Sequence, residues 1–175
     1  MKNILAIFLL FLSCGLMAQN SSFGMGVHAI NLENDQGLYF TGDVRVQFTE
    51  RFGWQSQVGY MSFNDKETIS SEQIPPPSSG TTLVVISNER RVTALTAKTS
   101  LTTKIFSMDG FTAEALVGGG GFSQGGTIYG LFSGELFLSA RIGKNTIAGI
   151  PISYNYITSE REDFYSVGVS LRYHM

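Results

Sequence analysis

The chain has 175 residues, with 12 Lys and Arg against 14 Asp and Glu, and this formal charge of −2 argues against a nucleic-acid partner. Hydrophobic residues make up 43% of it, yet after the first twenty positions no apolar run approaches the roughly 20 residues of a helical membrane span. The single cysteine, Cys14, excludes a disulfide framework.

The first element is a leader. MKNILAIFLLFLSCGLMAQN carries one cation, Lys2, an apolar run from Ile4 to Leu12, and small residues at Ser13, Gly15 and Ala18, the layout of a secretory signal. Residues 1–18 are expected to be a signal peptide cleaved after Ala18, leaving residues 19–175 as one domain with a formal charge of −3 and no thiol. The Ala-Gln junction resembles signal peptides of the Bacteroidota. A second reading makes Phe11, Leu12, Ser13 and Cys14 a lipobox with Cys14 acylated; Phe11 is off-pattern there and more apolar sequence follows, so simple cleavage is favoured.

Beyond the leader the hydrophobic period is two. Residues 22–31 form the first strand candidate. GLYFTGDVRVQF, 37–48, sets Leu38, Phe40, Val44, Val46 and Phe48 against Tyr39, Thr41, Asp43, Arg45 and Gln47. In 52–63, Phe52, Trp54, Val58 and Tyr60 oppose Gln55, Gln57 and Gly59. The candidate 91–103 follows, with 81–89 read as its extension above a membrane; separate pairing of 81–89 would give ten strands. In 111–122 Glu114 opposes Ala113, Ala115 and Val117, and in 127–142 Leu131 and Phe137 break an otherwise regular alternation. Pro151 sits inside the candidate 146–157, where it costs a ladder bond and predicts a bulge. In the last candidate, 164–174, the alternation is uninterrupted from Tyr165 to the terminal Met175. Eight spanning strands of about 9 to 11 residues fit residues 19–175, and sixteen do not.

With the first strand running outward, the inner turns fall at 49–51, 104–110 and 143–145, all short, and the outer connections at 31–36, 64–80, 123–126 and 158–163. The longest, NDKETISSEQIPPPSSG, is polar and carries three prolines, which keep it out of a sheet. Aromatic residues gather near both strand ends: Phe23, Phe48, Phe52, Trp54, Phe111 and Tyr173 at the inner one, Tyr39, Phe40, Tyr60, Phe63, Phe122, Tyr129, Tyr154, Tyr156, Phe164 and Tyr165 at the outer one. Two aromatic bands around an aliphatic belt are expected to be headgroup-level girdles.

SVGVSLRY, 166–173, looks like the terminal signal read by the outer-membrane barrel assembly machinery, with Ser166, Gly168, Leu171 and Tyr173 at the matching positions; His174 and Met175 follow the usual terminal aromatic. Together with the leader and the alternation, the chain resembles the OmpA/OmpX-type eight-stranded outer-membrane barrels, including the Bacteroidota-like barrel domains. The resemblance implies an all-β, antiparallel, up-and-down transmembrane β-barrel in the outer membrane of a Gram-negative bacterium, with outer-membrane lipid and the assembly machinery as partners.

The polar face offers His28, Asp43, Arg45, Gln55, Gln57, Lys98, Glu114, Glu135, Arg141 and Arg172 as lumenal residues. Eight strands leave room only for side chains, so a network pairing Asp43, Arg45, Glu114, Glu135, Arg141 and Arg172 is expected to plug the interior. His28 and His174 lack a local His-x-Ser arrangement, and the glycines at 118–121 lack the Lys-Ser/Thr of a phosphate cradle. No enzyme activity, cofactor or metal is expected. The function expected is a structural or interaction role, with the outer segment 64–80 offered to an extracellular ligand or surface protein. An envelope-lipid-modifying enzyme and a narrow channel are the alternatives.

Overall fold

The structure, a computed structural model, describes residues 21–32, 35–74, 82–158 and 162–175; at 32, 35, 65–74, 82–90 and 162 it describes the backbone alone. The leader 1–18, with its cleavage site and Cys14, lies outside the described residues, as do positions 75–81.

Eight antiparallel strands close on themselves in chain order: β1 (Ser21–Leu32), β2 (Asp35–Gln47), β3 (Phe52–Ile74), β4 (Thr82–Met108), β5 (Phe111–Gln124), β6 (Thr127–Arg141), β7 (Thr146–Ile157) and β8 (Glu162–His174). Closure is made by β1 and β8, paired from Ser22↔His174 to Leu32↔Phe164, so no edge remains around the wall. Residues 82–89, the described part of the segment 81–89, do extend the fourth strand rather than form a separate pair.

Strict alternation decides which side chains enter the interior. On β2, Tyr39, Thr41, Asp43 and Arg45 are buried while Leu38 and Phe40 are exposed; on β8, Ser166, Ser170 and Arg172 are buried while Val167, Val169, Leu171 and Tyr173 are exposed. The outer surface is therefore an apolar belt on every strand. A water-soluble barrel reverses this arrangement, because exposing so continuous an oily surface to water opposes folding.

Several connections differ from the expectation. Strand β4 runs through Lys104 to Met108, and the turn is only Asp109–Gly110, both at positive φ (47° and 87°). The bend 123–126 shrinks to Gly125–Gly126, at φ 58° and 89°. These are two-residue hairpin turns of the type that needs left-handed backbone at both positions, which Gly and Asp adopt at low cost. The segment expected to be a loose loop from Asn64 is instead strand as far as Ile74, paired with β4 and interrupted by one register shift between Thr68 and Ser70. The β3–β4 hairpin thus carries the length asymmetry between the two ends of the barrel. We call the ends the hairpin end and the turn end; the turn end carries 48–51, 109–110 and 142–145.

Pro151 produces no bulge. The β7–β8 register is identical before and after it, Gly149↔Ser170 and Ile152↔Val167, and only the bridges at Ile150 and Pro151 are missing. Losing a ladder bond costs less than rebuilding the register of a closed wall. Besides the shift at Thr68/Ser70, a bulge lies on β4, where the register with β5 shifts between Lys104 and Phe106. It turns both Ile105 and Phe106 outward, at 63% and 51% exposure, and leaves Lys104 facing inward.

The aromatic residues also divide differently. Phe23, Phe48, Phe52, Phe111 and Tyr173 ring the outside at the turn end, and Phe40, Tyr60, Tyr154 and Tyr165 are exposed toward the hairpin end. Tyr39, Phe63, Phe122 and Phe164, expected in the outer girdle, are buried inside instead, each at 4% exposure or less. Parity along the strand, not distance from its end, determines the side; Tyr39 shares its parity with Asp43 and Arg45.

Candidate functional site

The interior is layered along the barrel axis. At the hairpin end every strand contributes to one apolar cluster: Ile30 from β1, Tyr39 from β2, Met61 and Phe63 from β3, Ala94 from β4, Phe122 from β5, Leu131 from β6, Ile157 from β7 and Phe164 from β8. Tyr39 meets Phe164 edge-on, with ring centroids 6.5 Å apart, and donates or accepts a 2.8 Å hydrogen bond with Thr96 Oγ1. A tyrosine here keeps its hydroxyl satisfied while its ring joins the cluster. Leu131, out of pattern in the sequence, is a member of this layer.

Below it a chain of small polar groups crosses four strands. Asn155 Nδ2 donates to Ser153 Oγ (2.8 Å), Ser153 and Ser166 share a 2.7 Å bond, Ser166 Oγ lies 3.4 Å from His28 Nδ1, and His28 Nε2 lies 3.1 Å from Thr41 Oγ1. Gly168 makes room for the imidazole, since a Cβ there would fall 2.7 Å from its Cγ. This serine contact is invisible to a local motif search, because Ser166 and His28 are neighbours only through β1–β8 closure.

The charged layer comes next. Arg45 pairs with Glu114, Arg172 NH2 lies 3.0 Å from Asp43 Oδ1, and Lys98 Nζ lies 3.3 Å from Glu135 Oε2 and donates to Ser133 Oγ at 3.0 Å. Gln55 Oε1 accepts from both guanidinium groups, at 2.9 Å from Arg45 NH2 and 3.4 Å from Arg172 NH2. Both also stack on Phe137, whose ring centroid is 5.6 Å from Arg45 Cζ and 4.6 Å from Arg172 Cζ. Two like charges sit together because two carboxylates, one amide oxygen and one ring face are turned toward them. Phe137, the second residue out of pattern, is therefore the floor of this layer.

Of the six residues expected to form the network, Asp43, Arg45, Glu114, Glu135 and Arg172 are buried in this layer, with Lys98 as the partner of Glu135. Arg141 is not among them. It is exposed at the turn end, on the rim of a cavity of about 320 Å³ that also touches Arg45, Glu114 and Arg172. The glycines 118 and 120 serve close approach: a Cβ on Gly120 would lie 2.0 Å from Ala97 O and 2.6 Å from Lys98 Cα. The four residues expected as the terminal signal divide by parity, Ser166 into the hydrogen-bond chain and Leu171 and Tyr173 onto the apolar surface. Among the described residues no group of three His, Cys, Asp or Glu side chains is placed to hold a metal.

No protein-family model matches the chain, and no curated protein matches it by sequence. Solved structures match its shape. OprG from Pseudomonas aeruginosa superposes with a TM-score of 0.58 at 9% identity, over 90% of this chain and 100% of that one. Neisserial surface protein A gives 0.54 at 8% identity, over 90% and 98%. Ail of Yersinia pestis, in complex with the heparin analogue sucrose octasulfate, gives 0.51 at 12% identity, over 89% and 97%. The chain has the eight-stranded outer-membrane barrel fold of the OmpA/OmpX type. At these identities the likeness concerns the backbone; the interior layers described above are this chain's own side chains.

Proposed function

We propose that the protein sits in the outer membrane of a Gram-negative bacterium as a closed barrel with a structural or interaction role. Its turn end faces the periplasm and its β3–β4 hairpin faces outward, reached after export by a cleaved leader. The apolar layer to which all eight strands contribute carries this reading. A steady water file would have to pass between the rings of Tyr39, Phe122 and Phe164, which offer little to replace hydration, and then through three ion pairs. The projecting hairpin, rather than a loose loop over 64–80, is the surface offered to an extracellular ligand or a surface protein. Ail, with its heparin analogue, is a fold relative captured with such a ligand.

One observation favours an envelope-lipid enzyme: the serine beside His28. The pair is poorly suited to that chemistry. Ser166 is 1% and His28 2% exposed, the second imidazole nitrogen faces Thr41 rather than a carboxylate, and a substrate ester has no route to Ser166 Oγ through the apolar layer.

Planar-bilayer recording tests the closed lumen. The unmodified protein is expected to pass no steady current, whereas the Phe122→Ser/Phe164→Ser variant is expected to open small conductance steps. Stable, ion-selective current from the unmodified barrel refutes the closed reading, and an altered lipid-A mass spectrum on its expression refutes the non-enzymatic one.

A further inference from the structure

The cavity at the turn end is unevenly charged. Its wall carries four cations, Arg45, Lys104, Arg141 and Arg172, and one carboxylate, Glu114. Glu114 is taken up by Arg45, and Asp43, which is not on the wall, is taken up by Arg172. Lys104 and Arg141 have no carboxylate partner among the described residues. Arg172, 4% exposed, also keeps a buried Nε with no hydrogen-bond partner among them. A buried guanidinium N–H without an acceptor is costly, and a converging excess of cations in a concave, partly dry site attracts an anion.

Placement of these groups is specific to the strand geometry. The bulge after Lys104 turns Ile105 and Phe106 to the outside and leaves Lys104 facing the cavity. Arg141 ends β6, and its backbone N–H is held by Gly110 O at 2.9 Å, which fixes it beside the Asp109–Gly110 turn. Ser107, Thr112 and Ser139 add hydroxyl groups to the same wall.

We propose that this cavity binds the phosphate group of a small soluble molecule, inorganic phosphate being the minimal case. A phosphate dianion neutralises both Lys104 and Arg141, and it offers enough acceptors for two guanidinium groups and an ammonium; a carboxylate leaves one cation unmatched. The volume, about 320 Å³, admits the phosphate with its water or a short alcohol portion, since a water takes about 30 Å³. A membrane lipid is the wrong source. The cavity is walled by strands and reached at the turn end, along the barrel axis, where an acyl chain would have to leave the bilayer.

The test uses the refolded chain in maltoside micelles, which contain no phosphate, at mildly alkaline pH and fixed ionic strength. Inorganic phosphate, glycerol phosphate and acetate are titrated by calorimetry. Saturable one-site binding of the two phosphates is expected, with acetate weaker. Lys104→Gln/Arg141→Gln removes no ion pair of the fold and is expected to weaken phosphate binding about tenfold or more. The control Arg51→Gln/Lys144→Gln removes two cations from turns off the cavity wall and is expected to leave it unchanged. Absence of saturable binding, acetate binding as tight as phosphate, or equal weakening by both variants overturns the proposal. Repeating the titration in phosphatidylcholine nanodiscs separates the sources: unchanged affinity supports a soluble ligand, and its loss shows that a lipid headgroup takes the site and overturns the assignment to a soluble one.

Discussion

Arg45→Ala is the most informative single change in the interior, because Arg45 holds Glu114, two bonds to Gln55 and one face of Phe137. Its removal strands Glu114, which is 8% exposed. An unpaired carboxylate in a dry interior costs about 3 to 5 kcal/mol. Glu114 also borders the turn-end cavity, so water can reach it, and the expected loss is smaller, about 2 to 3 kcal/mol. Glu114→Ala should cost less, about 1 kcal/mol, since Arg45 keeps Gln55 and the Phe137 ring. The double variant Arg45→Ala/Glu114→Ala removes both charges and is expected to recover most of the loss, a coupling of about 3 kcal/mol. Urea unfolding in lipid vesicles, followed by fluorescence of Trp54, the single tryptophan, measures all three. A double variant no more stable than Arg45→Ala, or an Arg45→Ala loss below about 0.5 kcal/mol, refutes the claim that this pair is desolvated. None of the three should conduct, because the apolar layer at the hairpin end is untouched.

Gly120→Ala should destabilise the barrel by about 2 kcal/mol or more in the same assay, as its Cβ meets the Ala97 carbonyl, while Gly121→Ala, whose nearest neighbour would be 3.7 Å away, should be close to neutral. Leu171→Asp/Tyr173→Asp places two acids on the apolar face of β8 and should deplete the protein from the outer-membrane fraction on immunoblots; wild-type levels there would count against both the lipid-facing assignment and the terminal assembly signal. Topology is read with single cysteines introduced beside Cys14→Ser, so that no other thiol is present: a membrane-impermeant maleimide on intact cells should label Ser78→Cys and spare Asn145→Cys, and the reverse pattern inverts the orientation.

Strand number, order and facing were legible in the sequence because alternation survives translation into structure directly. Leu38 through Phe48 reads as one face in both, and the uninterrupted alternation from Tyr165 is a strand, as far as His174, with its oily side outward. What alternation does not carry is partnership. Lys98 and Glu135 are far apart in sequence, and only the wrapped sheet brings them to 3.3 Å; the same closure puts Ser166 beside His28. Polar composition does not imply a loop here, since Asn64 onward continues as paired strand despite its polarity. A two-stranded ribbon is held by its backbone ladder whatever its side chains are, so polar composition alone does not exclude a strand. The inward aromatic residues are hard to read for a different reason. A ring near a strand end suggests a girdle, but Tyr39, Phe122 and Phe164 have lumenal parity, and Leu131 and Phe137, which spoiled the polar face of β6, were the visible sign that the interior contains oil.

That oil changes what the ion pairs do. In a lumen filled with charge alone, water competes for every pair and the pairs themselves must resist its passage. Here Tyr39, Phe122, Phe164 and their neighbours exclude water from the hairpin end, while the charged layer lies toward the turn end with a cavity beneath it. The two tasks are separated along the axis: apolar packing closes the barrel, and the charged layer holds Arg45 and Arg172 in place above the cavity on Phe137 and Gln55. On this arrangement the interior is a one-sided vestibule. A solute arriving at the turn end meets guanidinium groups already positioned and partly desolvated, and one arriving at the hairpin end meets the apolar layer of Ile30, Phe63, Phe122, Leu131, Ile157 and Phe164. Binding from one side without passage to the other follows from where the residues lie and requires no moving part.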